Sequence, residues 1–204
     1  MRNGPRSKRI RLPLPMAMSL VVAGLFLAGA LLFVLWPRGN GEYRVPDTSA
    51  WQTGDLFFSS GNSWKSDLVR MFGGGGEHET SHCGFVLRVN GRPMLVHMST
   101  DKGEIVMESV EEYGRLNGAS SVRAMRIIQP VDTVALRRNL EGLLSAHKEF
   151  DNSFDHSDTT SYYCTELVVR EMQRIGCHLF DPFMDESVIY PQSIERSGYL
   201  VPVR

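Results

Sequence analysis

The chain has 204 residues and a formal net charge of −1, but that total hides two unlike parts. Residues 1–40 hold six Lys or Arg and no acid, leaving 16 basic against 23 acidic residues beyond them, a net of −7. An acidic body lacks the basic footprint that phosphate binding needs, which excludes nucleic acid as the partner.

Five of the basic residues precede an uncharged run from Met16 to Trp36. As a helix these 21 residues rise roughly 31 Å, enough to cross a hydrocarbon core of about 30 Å. The basic flank puts the tail in the cytoplasm and the body outside. Ala28-Gly29-Ala30 resembles a signal-peptide cleavage site, yet Leu31 to Trp36 continues the apolar run, which favours an uncleaved anchor. Either reading exports the body. Residues 37–52 are rich in Pro, Gly and polar residues and read as a linker.

Leu56-Phe57-Phe58 reads as a first strand. Gly73 to Gly76 follow in a polar stretch, but without a Gly-Lys-Ser/Thr they are no phosphate loop, and a surface loop beside a cleft is expected. Gly84 to Val89 and Pro93 to Met98 read as strands joined by Asn90-Gly91, the preferred two-residue type I′ turn. Ile105-Val106-Met107 and Val122 to Ile128 complete a mostly antiparallel sheet of about five strands. From Asp132 to about Lys148 the period becomes helical, with Leu136, Leu140, Leu143, Leu144 and His147 on one face. His147 is expected as a core histidine there, and His156 as an exposed one. A second helix is expected from Cys164 to Ile175, ended by Gly176. Beyond it the tail, with Pro182, Pro191 and Pro202, reads as irregular.

The hairpin turn makes residues whose numbers sum to 181 face each other, so Gly84 opposes His97 and His82 opposes Ser99. His82 and His97 become diagonal neighbours on one face, roughly 7–8 Å apart at the backbone. Gly84 leaves room for an imidazole to lie over the strand. A one-residue slip would send His97 to the other face. Cys164 starts a helix, where first-turn N–H groups and the dipole favour a thiolate. The bland reading of Cys83, Cys164 and Cys177 is three small buried residues, or one Cys83–Cys177 disulfide and a spare thiol. A helix-start Cys together with two paired His points instead to nucleophilic catalysis.

GDLFF at 54–58, SHCGFVLRV at 81–89, MLVHMS at 94–99, YYCTELV at 162–168 and YPQSIERSGYL at 190–200 occur in that order. The body resembles the circularly permuted, NlpC-type papain-like cysteine hydrolases, in their YiiX-like branch. In that branch the His-bearing strand comes first and the Cys-bearing helix last, as here. The resemblance implies an α+β fold, with a permuted papain-like domain over 53–204 behind the tail (1–15), anchor (16–36) and linker (37–52). It implies Cys164 as nucleophile, His82 as base and His97 as the orienting third residue, with no cofactor. Many YiiX-like members carry an acid at the third position. A histidine there resembles the Cys-His-His triad of the lecithin:retinol acyltransferase branch. Cys83 stands where Val is common and reads as a small core residue.

The implied reaction is acyl transfer through a thioester, with the Cys164 backbone N–H as first oxyanion donor. Asp55 in the GDL motif suits turn-making at least as well as chemistry. The substrate expected is an amide, possibly a cell-wall peptide. An acyltransferase or thioesterase acting on lipid is the alternative, as is a non-catalytic binding domain. A metal-binding module would use His78, His82, Cys83 and His97, but His78-x-x-x-His82 suits a helix turn whereas His82 opens a strand.

Overall fold

A computed structural model describes residues 43–61, 69, 80–154, 160–179 and 188–204. The basic tail and the apolar run at 16–36 lie outside the described residues, as do Gly73 to Gly76, Trp64, His78 and His156. Among the described residues no helix is long and apolar enough to cross a membrane.

The body is a mixed α+β domain built on one sheet. Its strands are β1 (Leu56–Gly61), β2 (His82–Val89), β3 (Arg92–Ser99), β4 (Glu104–Ser109), β5 (Ala119–Ile127), β6 (Glu149–Phe150), β7 (Ser161–Tyr162) and β8 (Leu200–Pro202). They lie in the order β7-β6-β4-β3-β2-β1-β5-β8. Every pairing is antiparallel except that of β6 with β7. The sheet therefore has eight strands where the sequence predicts about five. The three extra strands have two or three residues each, too few for alternation to show.

Four helices are described: α1 (Val110–Leu116), α2 (Thr133–Ser145), α3 (Cys164–Arg174) and α4 (Pro191–Glu195). Asp132 caps α2, accepting from the N–H groups of Val134 (3.1 Å) and Ala135 (2.9 Å). Helix α2 ends at Ser145, so His147 does not lie on its apolar face. The residue has a positive φ of 49° and an exposed ring that pairs with Glu104 at 2.7 Å. The expected core histidine is a surface one. Helix α1, which the hydrophobic period does not announce, is closed by a reciprocal Ser109–Glu112 capping box. The tail is more regular than expected: Pro191 opens α4 at the position where its missing N–H costs nothing, and β8 pairs with β5.

The alternating side chains of the sheet feed two apolar clusters. Leu56, Phe58, Cys83, Phe85, Leu87, Val96 and Met98 meet Leu136, Leu140, Leu167, Val168 and Met172 from α2 and α3. On the other face Phe57, Val86, Leu95, Val122 and Ala124 pack with Val110 and Tyr113 of α1, and with Trp51. Trp51 is thus a core residue. Full burial of side chains of this size stabilises the fold by roughly 1.5–3 kcal/mol each. Tyr43 packs against the same cluster and donates its hydroxyl to the Val110 carbonyl at 3.0 Å.

The β2–β3 hairpin has the expected register. Phe85 pairs with Val96, Val86 with Leu95 and Val89 with Arg92, around Asn90 (φ 50°) and Gly91 (φ 78°). Two consecutive positive φ values are the signature of the type I′ turn. Asp55 is a turn-maker. Its carboxylate accepts from the Gln52 N–H at 2.7 Å and receives Arg126 through two nitrogens at 2.8 and 2.9 Å.

Candidate active site

His82 opens β2 and His97 lies near the end of β3, on the face covered by α1. The His82 Nε2 and His97 Nδ1 atoms are 3.1 Å apart, with the rings nearly perpendicular. What allows this approach is Gly84. A Cβ there would stand 2.6 Å from Phe57 Cε1 and 2.9 Å from His97 Cβ, and would also strike the Val96 carbonyl. The absence of that atom lets His97 lie against β2, where it is buried.

Phe57 and Tyr113 enclose the two imidazoles. Tyr113 stacks over His82 (interplanar angle 26°, centroids 6.1 Å apart) and meets His97 edge-on at 4.9 Å. Its hydroxyl shares a 2.6 Å hydrogen bond with Ser59 Oγ. Burial drives the Tyr113 phenol far above its ordinary pKa, so it stays neutral. Burial also lowers the His97 pKa, against the raising influence of Glu108, and favours a neutral ring.

The start of β2 is fixed from the tail of the chain. Gln192 Nε2 donates to the Thr80 carbonyl, the Thr80 hydroxyl donates to Glu195 at 2.8 Å, and Arg123 joins both Thr80 and Glu195. The Ser81 N–H bonds to the Ser59 carbonyl at 2.9 Å. The Tyr190–Leu200 stretch therefore has a definite task, holding the backbone that delivers His82.

Cys164 is the first residue of α3. Tyr163 precedes it as N-cap and makes no side-chain capping bond. Cys164 is half-buried, and none of the three cysteines forms a disulfide. Its pKa is lowered well below that of an ordinary thiol. Hydrogen bonding from the Cys83 thiol is the largest cause, and the charge and hydrogen bonding of His82 add to it against the opposing effect of burial. Cys83 shifts upward, chiefly through burial and then through its bond to Cys164. Two neighbouring residues of β2, His82 and Cys83, thus both lower the pKa of Cys164. The two opposite shifts favour Cys83 as the donor of the pair and Cys164 as the thiol that loses its proton first. Cys83 is the small buried residue expected, but it also touches the nucleophile candidate. Cys177 donates instead to the Pro130 carbonyl at 3.3 Å.

The structure brings together Cys164, His82 and His97. It adds Cys83, Tyr113, Ser59 and Glu108, none of which the sequence analysis assigns to the site. Strand parity offered a signal for Cys83, since it faces the helices if His82 does not. The Ser109-x-x-Glu112 pattern offered one for Tyr113, by marking the start of α1.

No family model and no curated protein matches the chain. Among solved structures the chain is similar to metalloprotein YiiX from Escherichia coli O157:H7, with a TM-score of 0.62 and 17% identity. The match covers 75% of this chain and 96% of that one. Metal binding is a description of that protein. Among the described residues here, no group of three or more His, Cys, Asp or Glu side chains is set to hold an ion, and both ring nitrogens of His97 already face His82 and Glu108. The likeness covers nearly the whole of that protein, and the body of this chain has a YiiX-like fold.

Proposed function

We propose that the body is a permuted papain-like cysteine hydrolase that cleaves an amide bond through a thioester acyl-enzyme. In this reading Cys164 is the nucleophile, His82 the base and then the acid, and His97 the residue that orients His82. What supports it is the 3.1 Å approach of His82 Nε2 to His97 Nδ1, together with the lowered pKa of Cys164 to which His82 contributes. A thiolate attacks the carbonyl carbon, and the negative oxygen forms beside the N–H groups at the start of α3. The leaving amine takes its proton from His82, and water then releases the acyl group with His82 as base. The uncharged run at 16–36 supports a single-pass anchor in the cytoplasmic membrane, with the body on the extracytoplasmic side and a peptide, possibly from the cell wall, as substrate.

Incubation with an activated ester, followed by intact-protein mass spectrometry, tests the acyl-enzyme. An acyl adduct on Cys164, absent in Cys164→Ala and slow to form in His82→Ala, is the expected result. No adduct in the wild-type protein would contradict the reading. A lipid-directed acyltransferase or thioesterase is the second reading. It is favoured by His97 in the third position and by Phe154, which is exposed and packs 5.2 Å from Tyr163, next to Cys164. Release of the acyl group to a lipid amine or alcohol faster than to water would identify it.

A further inference from the structure

The row of polar side chains does not end at His97. On β4, Glu108 pairs with Leu95 and Val106 with His97, so Glu108 is the diagonal neighbour of His97, as His97 is of His82. Three adjacent strands thus present His82, His97 and Glu108 in one line on the same face. Glu108 is buried, and its Oε2 lies 3.5 Å from His97 Nε2. That is long for a hydrogen bond, yet among the described residues His97 Nε2 has no closer partner. Lys102 Nζ holds Oε1 at 2.7 Å and Asn117 Nδ2 approaches Oε2 at 3.4 Å.

We infer that Glu108 is a positioning residue that selects, through His97, which nitrogen of His82 is left to accept the Cys164 proton. The inference deepens the hydrolase reading and rests on it for its use, but not for its geometry. A carboxylate can only accept, so a neutral His97 facing Glu108 carries its proton on Nε2. His97 Nδ1 is then a lone pair and must accept from His82 Nε2–H across the 3.1 Å contact. The proton of a neutral His82 is thereby spent on Nε2, leaving Nδ1 as the lone pair available to the thiol. With no acceptor at residue 108 the order reverses: His97 donates from Nδ1, His82 accepts at Nε2, and His82 Nδ1 carries a hydrogen toward the sulfur. Such a His82 is no base. The carboxylate also favours the positive charge that His82 takes on with the thiol proton, one ring away. Among the described residues the side chains facing His97 are Phe57, His82, Tyr113 and Glu108, so Glu108 is the one carboxylate there to take its Nε2 proton, and the Met98 backbone also bonds to the ring.

Long-range 1H–15N correlation spectra of the histidine-labelled protein read the tautomers without any substrate. His82→Gln and His97→Gln assign the signals. The expected result is an Nε2–H tautomer for His97 in the wild-type protein. In Glu108→Leu, which cannot accept, the His97 proton should move to Nδ1, and in Glu108→Gln, whose carbonyl can accept, it should stay on Nε2. An Nδ1–H tautomer in the wild-type protein overturns the inference, and that spectrum decides it even where Glu108→Leu does not fold. Retention of Nε2–H in a folded Glu108→Leu overturns it as well. If the tautomers are as expected while Cys164 reacts like an ordinary thiol, the positioning role stands and the hydrolase reading falls.

Discussion

His82 Nε2 lies 3.1 Å from His97 Nδ1, a contact that ties the His82 ring to β3. Replacing His97 by Ala frees the His82 ring to rotate, while replacing His82 by Ala removes a direct partner of the sulfur. Alkylation of Cys164 by iodoacetamide at pH 6 is therefore expected to slow in both, by about tenfold or more in His82→Ala and by less in His97→Ala. Peptide mapping of the labelled cysteines checks it. Equal rates in all three proteins would show that neither ring acts on the thiol.

Cys83 makes a separate contribution from the helix side of the sheet. The Cys83→Val variant keeps an apolar side chain and loses the donor, so the pH midpoint of Cys164 alkylation is expected to rise. In Cys83→Ser a donor remains, and the midpoint should stay nearer the wild-type value. A Cys83→Val profile that overlays the wild type would remove Cys83 from the account of the low pKa.

Gly84 is a stability and a site residue at once. In Gly84→Ala the new methyl meets Phe57, His97 Cβ and the Val96 carbonyl, two of them fixed in the core. Urea unfolding is expected to show a loss of about 1–3 kcal/mol, the usual cost of overpacking. His97 should also move away from His82, slowing Cys164 alkylation in the protein that remains folded. No loss of stability would mean that the strands approach less closely than described.

Acid should destabilise the body in two stages. His97 has a folded pKa below 6.5, so the unfolded chain takes up its proton first, and stability falls as pH drops below about 6.5. Glu108 is lowered from 4.5 to about 2, first by its bond with His97 and then by Lys102. Its contribution is present above pH 4.5 and is lost as pH falls toward 2. Urea midpoints measured from pH 7.5 to 3 should therefore decline throughout, and Glu108→Gln should flatten the part below 4.5. An unchanged slope in that variant would contradict the Glu108 assignment.

The hairpin shows how far local chemistry reaches. Asn90-Gly91 dictates a turn, the turn dictates the register, and the register alone puts His82, Gly84 and His97 on one face. That reasoning extends to β4 only when its register against β3 is known, and no two-residue turn supplies it between Ser99 and Glu104. Glu108 was illegible for that reason. The short strands β6, β7 and β8 hold their places through their partners and not through their own patterns. His147 misled because helical spacing continued two residues beyond the point where the backbone left the helix. The resemblance gave Cys83 as a small core residue, but its effect on Cys164 depends on how α3 docks, which no local pattern encodes.

The central claim is that Cys164 is an activated thiolate supported by His82. Labelling with a thiol-reactive probe across pH 4–9, with Cys164→Ala and His82→Ala as controls, tests it most directly. Rapid labelling at Cys164 well below pH 8, lost in His82→Ala, is the result the account requires. Labelling of Cys164 no faster than an ordinary thiol would contradict it, and a non-catalytic binding role would then take its place.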